Sequence, residues 1–183
     1  MDKIIFSNRF NKSITNIFPE NIRKITFGND FNQVLKIGAI PKTITHLTFG
    51  DDFNQELEIG VIPNKVVYLN FNNAVIKSLK PYVIPNSVET LKINIEQQLE
   101  HGIIPYSVNY LILTNYDKPL KKGVIPNNVK FLDLGREFNQ PLEVGVIPNS
   151  VENLISEVIK PGCLQIIKAV SYTHLTLPTN REV

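Results

Sequence analysis

A hydrophobic residue followed by proline recurs along the chain at a nearly fixed interval. Neighbouring prolines of this series are 22, 22, 22, 20, 21 and 22 residues apart. The series consists of Pro19, Pro41, Pro63, Pro85, Pro105, Pro126 and Pro148. A period in this range indicates small units that cannot bury their apolar faces alone and therefore stack on one another. The pattern predicts a solenoid, in which binding uses a long repetitive surface and not a pocket.

Each unit carries apolar residues at fixed distances from its proline. The third, sixth and eighth residues after Pro19 are Ile22, Ile25 and Phe27, and the later units repeat this arrangement. The sixth and eighth positions lie two apart, which is the period of a β-strand with one buried face. We therefore expect one short strand per unit. Because the units stack, these strands should lie side by side as a parallel sheet.

Three further features follow the strand of each unit. A second apolar anchor stands at Phe31, Phe53, Val75, Ile95, Tyr116 and Phe138. A leucine anchor stands at Leu35, Leu57, Leu79, Leu99, Leu120 and Leu142. A turn glycine stands at Gly38, Gly60, Gly102, Gly123 and Gly145, whereas the third unit has Tyr82 there. Proline is expected at the strand entrance, where no backbone donor is needed. The asparagines before the leucines (Asn32, Asn54 and Asn139) are expected to bond local backbone.

Two strings within this pattern resemble a known repeat family. They are FNQVLKIGAIPKTITHLTFGDDFNQ, residues 31–55, and FNQPLEVGVIPNSVENL, residues 138–154. Both are similar to the FNIP repeat, a leucine-rich-like repeat found in social amoebae and in giant DNA viruses that infect amoebae. The resemblance covers residues 3 to about 155, with the spacing of the frame preserved. It implies a β-rich solenoid, specifically a leucine-rich-repeat-like horseshoe of about seven coils of roughly 22 residues.

The resemblance also implies a function. FNIP repeats are regarded as interaction modules, and they often follow an F-box that hands a bound client to a ubiquitin ligase. We therefore expect a non-catalytic protein–protein interaction scaffold, with the client-binding part of such an adaptor as its sharper form. A structural or adhesion protein that self-associates through its coils is the alternative. An enzyme is the third class and has the least support.

The outward positions of the predicted strands form the candidate binding face. The fifth and seventh residues after each proline alternate with the core positions, so stacking turns them into two columns. The candidate face consists of Lys24, His46, Tyr68, Asn70, Lys92, Tyr110, Ile112, Phe131 and Asp133. Tyrosine with interspersed charge is typical of binding hot spots. Aromatic residues also stabilise strands by packing across neighbours, so a purely structural role for them stays open.

Composition limits the classes of partner and the kinds of chemistry that are expected of the chain. A net charge of +2 with scattered basic residues gives no electrostatic case for nucleic acid or an anionic membrane. A single cysteine, Cys163, fits a reducing, intracellular location, or the host cytoplasm for a viral protein. His46, His101 and His174 lack metal-ligand spacing, and no phosphate-binding glycine string occurs. We therefore expect no metal, no cofactor and no catalysis.

Both ends of the chain depart from the repeat pattern. Ile4 and Phe6 match the sixth and eighth positions of a unit, so the solenoid over residues 1–155 is expected to begin within a repeat. Residues 156–169 are expected to form a degenerate last coil or cap. Residues 170–183 begin with VSYTHLTLPT, which matches translated sequencing-adapter DNA and is expected to be non-native, the alternative being a genuine tail. Uncapped coils expose core leucines, so artificial self-association is a further expectation.

Overall fold

The computed structural model describes residues 2–14 and 17–156, and within them every regular element is a short β-strand. The strands are β1 (Lys3–Ile5), β2 (Lys24–Thr26), β3 (His46–Thr48), β4 (Tyr68–Ile76), β5 (Thr90–Ile95), β6 (Tyr110–Leu113), β7 (Phe131–Asp133) and β8 (Asn153–Ile155). They form one 8-stranded parallel sheet in the order β1 to β8. The predicted parallel-sheet solenoid is confirmed, with a strand in each of the seven proline-initiated coils and one strand before them.

The sheet keeps the repeat in register. Ile25 pairs with Leu47, Leu47 with Leu69, and the same core position continues through Leu91 and Leu111 to the last strand. The coils of 20 and 21 residues remain aligned, because Thr90 pairs with Tyr110 and Tyr110 with Phe131. The two shorter coils lack residues between the strand and the second anchor. The side chains of their strands therefore keep the same inward and outward directions as in the other coils.

Stacked aromatic rings fill the interior of the first coils. The ring of Phe27 lies 5.4 Å from that of Phe6 and 5.6 Å from that of Phe49, measured between centroids. Phe49 continues the column to Phe71 at 5.0 Å. Phe31 lies 4.0 Å from Phe27 and joins this column to a second one. Such pairs contribute about 0.5–1.5 kcal/mol each beyond their burial, so neighbouring coils with phenylalanine at equivalent positions stabilise each other.

The prolines open a turn and do not enter the strand directly. The N–H of Ile22 donates to the carbonyl of Pro19 at 3.3 Å, and the N–H of Ile44 to that of Pro41 at 3.1 Å. The strand begins only at Lys24 in that first coil. Proline therefore lies one turn before the strand, and the prediction that it stands at the strand entrance is wrong. Proline suits this place because its missing N–H leaves no donor to satisfy at the corner.

The second anchor of the third unit is Ala74 and not Val75. Val75 is 36% exposed, while Ala74 and Ile76 are buried. β4 continues past Asn70 through a register irregularity and pairs again with β5 at Val75 and Ile76. Because side chains alternate along the extended strand, this second pairing sends Ala74 and Ile76 inward and Val75 outward.

The asparagines before the leucines bond the neighbouring coil and not their own turn. The N–H of Asn32 donates to Asn11 Oδ1 at 3.0 Å, and the N–H of Asn54 donates to Asn32 Oδ1 at 3.1 Å. Asn139 has the same bond to Asp117 Oδ1 at 2.9 Å. The expected local bonds are wrong, because in-register stacking places the equivalent side chain of the preceding coil within reach of each backbone donor.

The turn glycines take the conformation that their position predicts. Gly38, Gly60 and Gly102 have φ values of 86, 89 and 87°. Tyr82, which replaces glycine in the third unit, takes the same left-handed conformation with φ of 67°. That conformation costs a residue with a Cβ about 1–2 kcal/mol, so the stacked neighbours impose the turn even where the sequence opposes it.

Candidate interaction surface

The outward strand positions that were predicted to form the binding face lie in two columns on the sheet. The first contains, strand by strand, Lys24, His46, Tyr68, Thr90, Tyr110, Phe131 and Asn153. The second contains Thr26, Thr48, Asn70, Lys92, Ile112, Asp133 and Ile155. All these side chains are partly or fully exposed. The strand pattern therefore placed every candidate residue on one face.

Aromatic rings stack along the first column in two separate pairs. The rings of Tyr110 and Phe131 lie 4.0 Å apart with an interplanar angle of 2°. His46 and Tyr68 stack at 5.6 Å and 23°. Thr90 occupies the strand between Tyr68 and Tyr110 and separates the two pairs. The larger apolar surface belongs to Tyr110 and Phe131.

Two candidate residues of the second column have a structural task. Asn70 Oδ1 accepts a hydrogen bond from the N–H of Asn72 at 2.7 Å, and Asp133 Oδ1 accepts one from the N–H of Gly135 at 2.8 Å. Asn72 and Gly135 both have positive φ, 52° and 73°. Each acceptor thus stabilises a tight exit from its strand. The sequence signal for this is an Asn or Asp two residues before an Asn or Gly, and it was missed.

A cavity of about 530 Å³ lies beside the aromatic pair. Its floor comes from the second column and its wall from the loops at the carboxyl ends of the strands. The lining residues are Asn73, Lys92, Ile112, Thr114, Asn115, Asp133, Gly135, Arg136, Glu137 and Ile155. Cations, carboxylates and isoleucines alternate here, and the hydroxyl of Thr114 is buried without a hydrogen-bond partner. Such a surface suits an extended peptide better than a small apolar ligand.

His46 lies in the polar part of the candidate binding face. Its Nδ1 lies 3.0 Å from Thr45 Oγ1. Partial burial, and secondarily the charge of Lys24, lower the pKa of His46 below its ordinary value. The imidazole is therefore neutral at neutral pH, and the lysines carry the positive charge on this part of the face.

The described part of the chain has neither a metal-binding cluster nor a membrane-spanning helix. Over residues 2–14 and 17–156, no group of three or more His, Cys, Asp or Glu side chains is placed to hold a metal ion. Within the same ranges, no helix has the length and apolar character needed to cross a bilayer. Cys163, His174, the segment predicted over 156–169 apart from its first residue, and the segment predicted over 170–183 lie outside the described residues.

Comparison with known proteins identifies the repeat. The model of the FNIP repeat matches residues 10–52, 31–74, 77–115 and 116–155. The chain belongs to the FNIP repeat family. No curated protein gives a significant match to this FNIP chain.

One solved structure is similar to the FNIP chain in fold and in sequence. It is that of CroV588, described as a novel circular LRR protein, with a TM-score of 0.70 and 31% sequence identity. The similarity covers 85% of this chain but 27% of that protein. The leucine-rich-repeat-like solenoid is thereby confirmed, an architecture typical of non-catalytic interaction scaffolds. The chain spans about a quarter of the length of that neighbour.

Proposed function

We propose that this FNIP chain is a non-catalytic scaffold that binds another protein through its sheet face. The observation that carries the proposal is the Tyr110–Phe131 pair beside the 530 Å³ cavity. Tyr110 is 37% exposed, and Phe131 keeps part of its ring in contact with water. Aromatic side chains next to a polar cavity provide the anchor-and-rim composition of protein interfaces.

The sharper form of this function is the client-binding part of a ubiquitin-ligase adaptor. It rests on membership of the FNIP family, whose repeats often follow an F-box. The face around Tyr110 would then hold the client, and a domain outside this chain would hold the ligase. This role places the protein inside the cell and needs neither nucleic acid nor a membrane. Co-purification of the full-length gene product with a cullin-type ligase core tests it, and failure to co-purify would remove the adaptor role alone.

A structural role by end-to-end stacking is the second candidate. Ile5 is 61% exposed on β1, the first strand of the sheet. Phe6 and Phe10 next to it are only partly buried. Such an edge favours pairing with another chain. Sedimentation velocity at increasing concentration checks this role, which predicts assembly that weakens with Ile5→Lys.

The sheet-face proposal is tested with the double substitution Tyr110→Ala and Phe131→Ala. Binding partners captured by the wild-type chain should be retained at least about tenfold less well, as expected for loss of central aromatic anchors. A matched control, Tyr106→Ala with Val144→Ala, removes apolar side chains that are 56% and 80% exposed and are not in the face. Thermal melting distinguishes the roles: a collapse of stability in the double variant would show that the pair is structural.

A further inference from the structure

Three of the most exposed large apolar side chains lie at the glycine turns. Ile37 is 68% exposed, Ile59 62% and Val144 80%, against 37% for Tyr110. Each of the three directly precedes a turn glycine. We call this row the glycine edge, which contains Ile37–Gly38, Ile59–Gly60, Pro81–Tyr82, His101–Gly102, Lys122–Gly123 and Val144–Gly145. Sequence reasoning assigned these positions only to turn chemistry.

Turn geometry explains the exposure but not the choice of isoleucine. The N–H of Ala39 donates to the carbonyl of Lys36 at 3.0 Å, which makes Ile37 and Gly38 the two central residues of a turn. A central turn residue points into solvent, and the core is filled instead by Ile40. In other coils the equivalent position holds His101 or Lys122. The fold therefore does not require an aliphatic side chain there.

A groove opens between the first two glycine turns of the edge. It has a volume of about 350 Å³ and is lined by Ile37, Gly38, Ile40, Lys42, Gly60, Ile62, Pro63, Asn64 and Lys65. The side chain of Ile37 leans along the backbone of the next turn, since a Cβ added to Gly60 would lie 3.8 Å from Ile37 Cδ1. The two glycines leave the groove uncovered.

The rim of this groove is positively charged. Lys42 and Lys65 line it, and Lys36 lines an adjoining cavity of about 420 Å³ that shares Ile37 and Gly38. No acidic side chain lines either cavity within the described part of the chain. Glu58, in the second turn, is the nearby opposing charge along the edge. An apolar floor with a cationic rim is complementary to an aliphatic residue flanked by carboxylates.

The rest of the edge argues against a flat anionic partner such as a membrane. The residue two before the glycine position is Lys36, Glu58, Lys80, Glu100, Lys121 and Glu143 in successive coils. Charge therefore alternates along the edge, and a broad anionic surface would meet a carboxylate in every second coil. A single extended segment of a partner can contact the lysines of the first groove without lying across the other coils of the edge.

We propose that the groove between Gly38 and Gly60 binds an aliphatic side chain flanked by acidic residues on a segment of a partner protein. This site lies on a different surface from the sheet face and does not rest on it. An FNIP chain with both surfaces contacts two segments, either of one partner or of two.

Three labelled pentapeptides test the proposal against the intact chain: Glu-Glu-Leu-Glu-Glu, Glu-Glu-Ser-Glu-Glu and Lys-Lys-Leu-Lys-Lys. Binding is followed by ¹H–¹⁵N correlation spectra, with the amides of Gly38 and Gly60 as reporters. The first peptide is expected to shift these amides in a saturable way. The other two should bind at least about tenfold more weakly, because each lacks one of the two complementary features.

Substitutions then locate the site. Ile37→Ser should abolish the shifts, because Ile37 lines the groove, whereas Val144→Ser, a matched exposed residue of the last turn, should leave them unchanged. Lys42→Glu with Lys65→Glu should reverse the preference toward Lys-Lys-Leu-Lys-Lys. All three variants alter exposed residues, so unchanged circular dichroism is expected.

Several results would overturn the proposal. One is equal binding of the leucine and serine peptides, another is persistence of the shifts in the Ile37→Ser variant, and a third is no reversal in the double glutamate variant. Binding to phosphatidylserine vesicles in place of the acidic peptide would also overturn it, in favour of a membrane surface. None of these outcomes bears on the sheet face, whose test uses Tyr110 and Phe131.

Discussion

At the scale of single residues, the hydroxyl of Tyr116 links two neighbouring coils by hydrogen bonds. It is buried at a position that holds phenylalanine in several other coils. Its hydroxyl oxygen accepts hydrogen bonds from the backbone N–H of Leu99 at 3.1 Å and from Gln98 Nε2 at 3.2 Å. The donors lie in the preceding coil, so the hydroxyl fastens two coils together.

Tyr116→Phe is expected to cost about 1–3 kcal/mol at neutral pH, because the buried N–H of Leu99 loses its acceptor. Burial raises the pKa of Tyr116 above its ordinary value, an effect that the hydrogen bond from Leu99 partly opposes. A raised pKa in the folded state gives stability that is fully present below the unfolded pKa of about 10 and is lost as pH rises through the folded value.

The difference in unfolding free energy between wild type and Tyr116→Phe should therefore shrink above pH 10. Urea denaturation at pH 7 and at pH 11 measures it, with Tyr106→Phe as the exposed control. A pH-independent difference would show that the hydroxyl does not stay neutral through this range.

At the scale of the coil, polar side chains form ladders that run along the solenoid. The side chain of Asn32 accepts from the N–H of Asn54 at 3.1 Å and from Gln55 Nε2 at 2.8 Å, and it donates to Asn54 Oδ1 at 3.1 Å. Hydroxyls of the proline turns do the same, as Thr43 Oγ1 donates to the carbonyl of Ile22 and Ser87 Oγ to that of Val66, both at 2.7 Å. In the third coil Val75 follows the anchor Ala74 as Asn54 follows Phe53, so the asparagine ladder ends at Asn54.

Asn32→Ala should therefore destabilise the chain more than Asn54→Ala, by about 1 kcal/mol. The first change removes the acceptor of two donors in the next coil. The second removes an acceptor of two side-chain donors, Asn32 Nδ2 and Gln55 Nε2, whereas one of the donors that Asn32 serves is the backbone N–H of Asn54. Chemical denaturation of both variants checks the order, and equal losses would mean that water replaces these bonds.

At the scale of the whole molecule, stability is a sum over stacked neighbours. Each coil contacts the one before and the one after, and the core position of the strands stays paired from Ile25 to Leu154. In such a chain a complete period can be removed, because the two new neighbours present complementary faces. A removal that changes the strand alternation cannot be accommodated in the same way.

Deletion of residues 46–67, one 22-residue period, is expected to leave a folded solenoid that is one coil shorter. Deletion of residues 46–66 keeps one extra residue before the new strand and turns Leu69 toward solvent. The shorter chain should melt cooperatively a few degrees below wild type, and the second variant should lose its near-ultraviolet signal. Similar melting of both variants would show that the turns absorb the slip.

The proline period, the two-residue alternation and the recurring anchors were enough to determine the solenoid, the parallel sheet and the columns of its outer face. These features are local and repeated, so stacking has little choice once each strand has one apolar side. Only the tertiary structure decided what depends on the neighbouring coil: the inter-coil bonds of Asn32, the inward turn of Ala74, and the structural roles of Asn70 and Asp133. It also decided which apolar residues stay in water, because Ile37 is exposed as a central residue of its turn although its side chain is apolar.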